Sequence, residues 1–164
     1  PRISPDGRWL VFCMCDYGCF PVYQPSSDLY IMDLASADRQ FHKLSVNSEF
    51  SESWHSWSSN SRWIVFSSKR QGGLFTRPFI SYVDESGKTG KPFVLPQKQP
   101  SSYASCYHVY SVPELIAGPV TVDSAALLEA VVGPTSVSVV NSVTGATPKT
   151  GSTEAYQAGQ SSVQ

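Results

Sequence analysis

The residues of this chain best suited to chemistry crowd its first quarter. Cys13, Cys15 and Cys19 fall within one segment, Phe12-Cys13-Met14-Cys15-Asp16-Tyr17-Gly18-Cys19-Phe20-Pro21-Val22-Tyr23, and Cys106 stands far from them. Three thiols at this spacing admit three chemistries. As thiolates they could supply three ligands to zinc, with His55 or Cys106 as a fourth, although neither Cys-x-x-Cys nor a His pair accompanies them. In an oxidising compartment Cys15–Cys19 or Cys19–Cys106 could close a disulfide. As small apolar side chains they could fill the space beside a strand. The same segment gathers Asp16, Tyr17, Phe20 and Tyr23, and aromatic residues on a loop bury much area on binding at low entropic cost.

The stretch Glu52-Ser53-Trp54-His55-Ser56-Trp57 is the second candidate. In an extended strand, alternation groups Glu52, Trp54 and Ser56 on one side and Ser53, His55 and Trp57 on the other. Glu52 and His55 are therefore candidate binding residues. A channel-lining His could ligate a metal or move a proton, and a hydrogen-bonded structural His is the other reading. His42 and His108 have no acidic or Cys neighbour at ligand spacing.

Other chemistries lack their motifs. Gly-x-Ser-x-Gly is absent, which argues against a hydrolase nucleophile within these residues. Gly72-Gly73 is isolated and Gly87-x-x-Gly90 reads as a turn, so no phosphate-cradling loop is present. Without Cys-x-x-Cys-His there is no attachment site for c-type haem. No cofactor and no catalytic residue is expected. The net charge of −1, with no basic cluster beyond Lys69-Arg70, argues against a nucleic-acid partner or an anionic membrane surface. No run approaches the ~18 apolar residues of a membrane-spanning helix.

The elements that must position these residues are written as a repeat. Ile3-Ser4-Pro5-Asp6-Gly7-Arg8-Trp9-Leu10-Val11-Phe12 recurs as Trp57-Ser58-Ser59-Asn60-Ser61-Arg62-Trp63-Ile64-Val65-Phe66. Each copy is a turn feeding a strand: Pro presets φ, Asp bonds back to the backbone, and Gly accepts positive φ. Asn60-Ser61 weakens that signal in the second copy. Asp28–Leu34 and Phe79–Asp84 read as the next strands of the two units, and Phe41–Leu44 and Phe93–Leu95 as short closing strands. Glu52–Trp57 is a candidate inner strand. Four short strands per repeat is the composition of a propeller blade, and an ordinary two-sheet sandwich is the alternative.

Ser4-Pro5-Asp6-Gly7-Arg8 with its apolar strand, followed by Asp28-Leu29-Tyr30-Ile31-Met32-Asp33-Leu34, resembles the WD40-like repeat of TolB-like β-propellers. The resemblance covers residues 1–100. It implies an all-β fold of antiparallel four-stranded blades, at about 1–50 and 51–100, with a C-terminal extension. Two blades cannot close a ring of roughly four to eight, so upstream blades of the same protein are expected to complete it. It further implies a location in the periplasm or cell envelope. The function it implies is a non-catalytic binding or scaffold module that meets a protein or glycan at the propeller rim. The alternative is the propeller part of an enzyme, of polysaccharide lyase or peptidase type, with its catalytic residues outside this sequence.

Beyond residue 100 the character changes. Ser101–Pro119 carries alternating aromatic and Val residues and is expected to add one or two strands. Ser124–Val132 is a helix candidate, with Asp123 or Ser124 as cap and Gly133-Pro134 as stop. Residues 135–164, dominated by small and polar side chains, read as a disordered tail in which Val137, Val139 and Val140 could add a weak strand.

Overall fold

The turn that opens each repeat unit closes on the same set of hydrogen bonds. In this computed structural model, which describes residues 1–99 and 101–132, Ser4 Oγ donates to Asp6 Oδ1 (2.6 Å) and accepts from Trp9 N–H (2.9 Å). Asp6 Oδ1 also accepts from Arg8 N–H at 3.1 Å. In the second unit Ser58, Asn60, Arg62 and Trp63 repeat this arrangement at 2.6, 3.1 and 3.0 Å. Gly7 sits at φ +77° and Ser61 takes the equivalent place at φ +58°. Ser61 makes a contact Gly could not: its Oγ accepts from the Asp6 N–H at 3.0 Å and ties the two turns together.

These turns lead into two four-stranded antiparallel sheets. The first runs in spatial order β1 (Arg2–Ile3), β2 (Trp9–Met14), β3 (Asp28–Asp33), β4 (Phe41–Lys43). The second runs β5 (Glu52–Trp57), β6 (Trp63–Ser68), β7 (Arg77–Tyr82), β8 (Phe93–Val94). The described chain is thus mostly β. Register is in phase between the units: Val11 pairs Ile31 as Val65 pairs Ile80, and Phe12 pairs Tyr30 as Phe66 pairs Phe79.

Side chains alternate across each sheet, so each has a front face (Trp9, Val11, Leu29, Ile31; Trp63, Val65, Pro78, Ile80) and a back face (Leu10, Phe12, Tyr30, Met32; Ile64, Phe66, Phe79). The front of the first sheet packs on the back of the second. Trp9, Val11, Leu29, Ile31, Ile64, Phe66 and Phe79 form one buried cluster with Leu44, Val46, Trp57 and Val83. Burying a large apolar side chain stabilises by about 1.5–3 kcal/mol, so this cluster is the main cohesion of residues 1–120. Gly87, at φ +79°, lies under the Trp9 indole: a Cβ there would come within 2.7 Å of the ring.

Three expectations change. The alternation expected of Glu52–Trp57 is broken by a bulge between Ser53 and Ser56, where Trp54 takes φ +45°. Glu52 pairs Ser68 and Trp57 pairs Ile64, which puts both on the back face, while Ser53 and Ser56 share the front. The strands expected in Ser101–Pro119 do not form: the segment holds a single helical turn, α1 (Ser102–Ser105), and then irregular backbone. Pro113, Gly118 and Pro119 interrupt it, and its carbonyls bond to side chains of the second sheet instead of to a ladder. The described part of the second compact unit (residues 121–164) holds the helix expected there, α2 (Ser124–Val132), capped by Asp123 Oδ1 on the Ala126 N–H at 2.8 Å. The expected tail, 135–164, lies outside the described residues. Among the described residues no helix is long and apolar enough to cross a membrane.

Candidate functional site

The loop joining β2 to β3 displays its aromatic residues because its backbone is held from within. Gln24 closes it, its amide donating to the Tyr17 carbonyl and accepting from the Tyr17 N–H. A 3₁₀ turn at Pro21–Tyr23 follows, with Pro fixing φ at its start. Val22, buried inside that turn, seats the loop against β5, and Ser51 Oγ donates to the Pro21 carbonyl at 3.2 Å. Tyr17, Phe20 and Tyr23 are left 76%, 64% and 73% exposed. Phe20 and Tyr23 meet edge to face at 6.3 Å, and Lys69 Nζ stands 5.1 Å from the Tyr23 ring. Asp16, Tyr17, Tyr23 and Gln24 line a shallow depression of about 270 Å³. The loop therefore offers aromatic faces and a carboxylate on a braced support, with the Lys69 ammonium group of the neighbouring β6–β7 connection beside them. That chemistry suits contact with a partner surface.

The three clustered cysteines do not converge. Cys13 is half-buried on β2, its Sγ 3.1 Å from Ser27 Oγ and 3.4 Å from the Glu52 carbonyl, and burial pushes its thiol pKa up. Cys15 Sγ donates to the Tyr17 carbonyl, and Cys19 is exposed. All four cysteines are free thiols, and no three His, Cys, Asp or Glu side chains are grouped for a metal among the described residues. A protonated, hydrogen-bonded Cys13 is a packing residue and not a nucleophile.

Glu52 and His55 both sit on β5 and part company at the bulge. Glu52 is fully buried. Its carboxylate accepts from Ser48 N–H (2.9 Å), Ser48 Oγ (2.7 Å), Ser68 Oγ (2.7 Å) and the Arg70 guanidinium (3.0 Å). With its acceptor capacity taken up, it holds the β4–β5 connection to the second sheet. His55 crosses to the first sheet, where Nε2 bonds the Val11 carbonyl at 2.8 Å while Nδ1 has no partner. Since a carbonyl only accepts, Nε2 carries the proton in the neutral ring. Burial, assisted by the Arg2 charge and opposed by the Val11 bond, lowers the His55 pKa to about 4. His55, Ser53, Trp54 and Cys13 line a cavity of about 330 Å³ beside the bulge. Cys13 bonds Ser27 and Glu52, not His55, so the cavity lacks a nucleophile–base pair.

His42 is exposed on β4, and His108 contributes its backbone carbonyl to Arg77. Two arginines that the sequence reading passed over organise more of the molecule than any histidine. Arg70 spans Glu52 and the Val46 carbonyl. Arg77 is buried and donates to the carbonyls of Tyr103, Cys106 and His108 between the rings of Phe75, Tyr103 and Tyr110. The available signal was a lone Arg in an apolar strand with aromatic neighbours on one side. Compared with known proteins, the chain matches no family model and no curated protein.

Proposed function

We propose that residues 1–100 are two successive blades of a TolB-like β-propeller, acting as a non-catalytic binding module in the periplasm or cell envelope. The observation that carries the reading is the front-on-back packing of two sheets whose opening turns share one hydrogen-bond pattern. A translated stack of this kind accepts further units on either side, as a propeller does, whereas a sandwich closes on itself. The partner surface is the β2–β3 loop: Tyr17, Phe20 and Tyr23 carry the contact, with Asp16 as its charged flank. A protein is favoured over a glycan as the rim partner, because the three rings spread over an open loop and line no deep groove.

A photoreactive group in place of Tyr17 tests this in cells producing the protein. One envelope protein should cross-link reproducibly, and the adduct should vanish when Phe20 and Tyr23 are both replaced by Ser with the melting temperature unchanged. Cross-linking that survives the double substitution would contradict the assignment.

A further inference from the structure

The depression on the β2–β3 loop is built from that loop alone. Asp16, Tyr17, Tyr23, Gln24, Pro25 and Ser26 line its space of about 270 Å³. Asp16 is the one charged group among them, and its carboxylate has no counter-ion among the described residues. The ion pairs there use Asp28, Asp33, Glu52, Glu85 and Glu114 instead. The Asp16 backbone is nonetheless held, since its N–H donates to Ser26 Oγ across the loop at 3.3 Å and Gln24 clasps the next residue. The loop leans on β5 through Val22 and the Ser51–Pro21 bond, so its support lies in the second sheet and not on the first sheet's back face.

A second charge without a counter-ion stands just outside the depression. The Lys69 N–H donates to the Ser51 carbonyl at 3.1 Å, which ties its backbone to the support of the loop. Its Nζ lies 5.1 Å from the centre of the Tyr23 ring and pairs with no carboxylate among the described residues. Tyr23 therefore already draws a cation to its electron-rich face. The depression puts that ring, a second phenol and a bare carboxylate around one small space.

The molecule makes this combination once within itself. Arg8 lies 4.8 Å over the Trp9 ring and reaches the Asp33 carboxylate at 3.5 Å. A guanidinium suits such a setting better than an ammonium. It is planar and weakly hydrated, so one face stacks on a ring while its edge gives two N–H groups to a carboxylate. In a shallow, open depression an ammonium keeps its water and gains little, whereas a flat guanidinium covers the ring it lies on.

We propose that the depression is an arginine site: an arginine side chain of the partner protein stacks on the tyrosine rings and pairs with Asp16. This rests on the reading of the β2–β3 loop as a partner surface, and adds the charge and the side chain that the surface meets. The mixed charges of the region take different parts. Asp16 lines the depression and attracts the guanidinium, while Lys69 lies outside it and opposes the approach of a like charge.

Amide shifts of the full 164-residue chain, titrated into the millimolar range with the peptide acetyl-Gly-Arg-Gly-amide, test it. The Asp16, Tyr17, Gln24 and Ser26 resonances should shift together along saturable curves. The citrulline peptide, which keeps the shape and loses the charge, should leave them in place, and the lysine peptide should bind more weakly. Asp16→Asn should weaken the arginine peptide about fivefold, the size of an exposed charge pair, and Asp16→Glu should restore most of that loss. Lys69→Met removes a like charge and should tighten binding. A wild type that ignores the arginine peptide would overturn the proposal. So would binding unaffected by Asp16→Asn, a citrulline or lysine peptide that binds as well, or weaker binding in Lys69→Met. A wild type that binds the arginine peptide yet cross-links to no envelope protein through Tyr17 would instead overturn the reading of the loop as a partner surface.

Discussion

Acid should weaken this fold in a window that belongs to one side chain, His55. Its pKa in the folded chain is lowered from 6.5 to about 4, chiefly by burial between the sheets. The unfolded chain therefore takes up the proton first. Stability is whole above the unfolded value, declines as pH falls below it, and levels off once pH passes the folded value. The full loss corresponds to about 3 kcal/mol, with about 2 kcal/mol already gone near pH 5. Asp6, Asp38 and Asp84 have carboxyls held below their usual 3.8 by serine hydroxyls and backbone N–H groups, so their losses fall at more acid pH. Burial pushes the Cys13 thiol upward, away from the window. Urea unfolding followed by Trp fluorescence at about pH 7 and about pH 5, for the wild type and for His55→Gln, isolates the effect. The Gln amide can still donate to the Val11 carbonyl but does not titrate. The wild type should lose about 2 kcal/mol more than the variant between the two conditions. Equal losses would refute the burial of a neutral His55 between the sheets.

Further outcomes follow from single contacts. Glu52→Ala leaves the Arg70 guanidinium and the Ser48 and Ser68 donors without their buried carboxylate, and should lower unfolding free energy by about 3–5 kcal/mol in denaturant titration. Gly87→Ala puts a Cβ against the Trp9 ring at positive φ and should cost about 2 kcal/mol or more, seen as a lowered melting temperature. With iodoacetamide at neutral pH, Cys106 should react before Cys13. The His108 N–H, the Tyr110 hydroxyl and the Arg77 charge lower the Cys106 thiol pKa, and desolvation raises that of Cys13; mass spectrometry of labelled peptides reads the order.

The repeat made the strands legible because its signals are local. Turn residues at Ser4–Gly7 and alternating apolar runs at Trp9–Phe12 and Asp28–Leu34 each specify a hairpin without reference to the rest of the chain. What could not be read depends on tertiary contacts. Alternation placed Glu52 and Trp57 on opposite faces, and one inserted residue at the Ser53–Ser56 bulge put them on the same one. Ser61 looked like a poor substitute for Gly and is the acceptor that locks two turns together. Residues 109–115 have strand-like composition, yet the Ser67, Thr76 and Ser56 side chains take up backbone carbonyls of this segment. The aromatic loop was visible as Tyr17, Phe20 and Tyr23, but its internal closure by Gln24 was not, since nothing in the spacing of Gln24 distinguishes it from a solvated loop residue.

The central claim is that the two sheets stack front on back, as successive units of one array. Methyl NOEs in Ile- and Val-labelled protein test it most directly. Ile64 should show cross-peaks to Val11 and Ile31 of the first sheet, while the Val65 methyls, on the opposite face, should show none to either. Cross-peaks from Val65 to Val11 or Ile31, with Ile64 silent, would mean that the sheets meet front to front and would contradict the account.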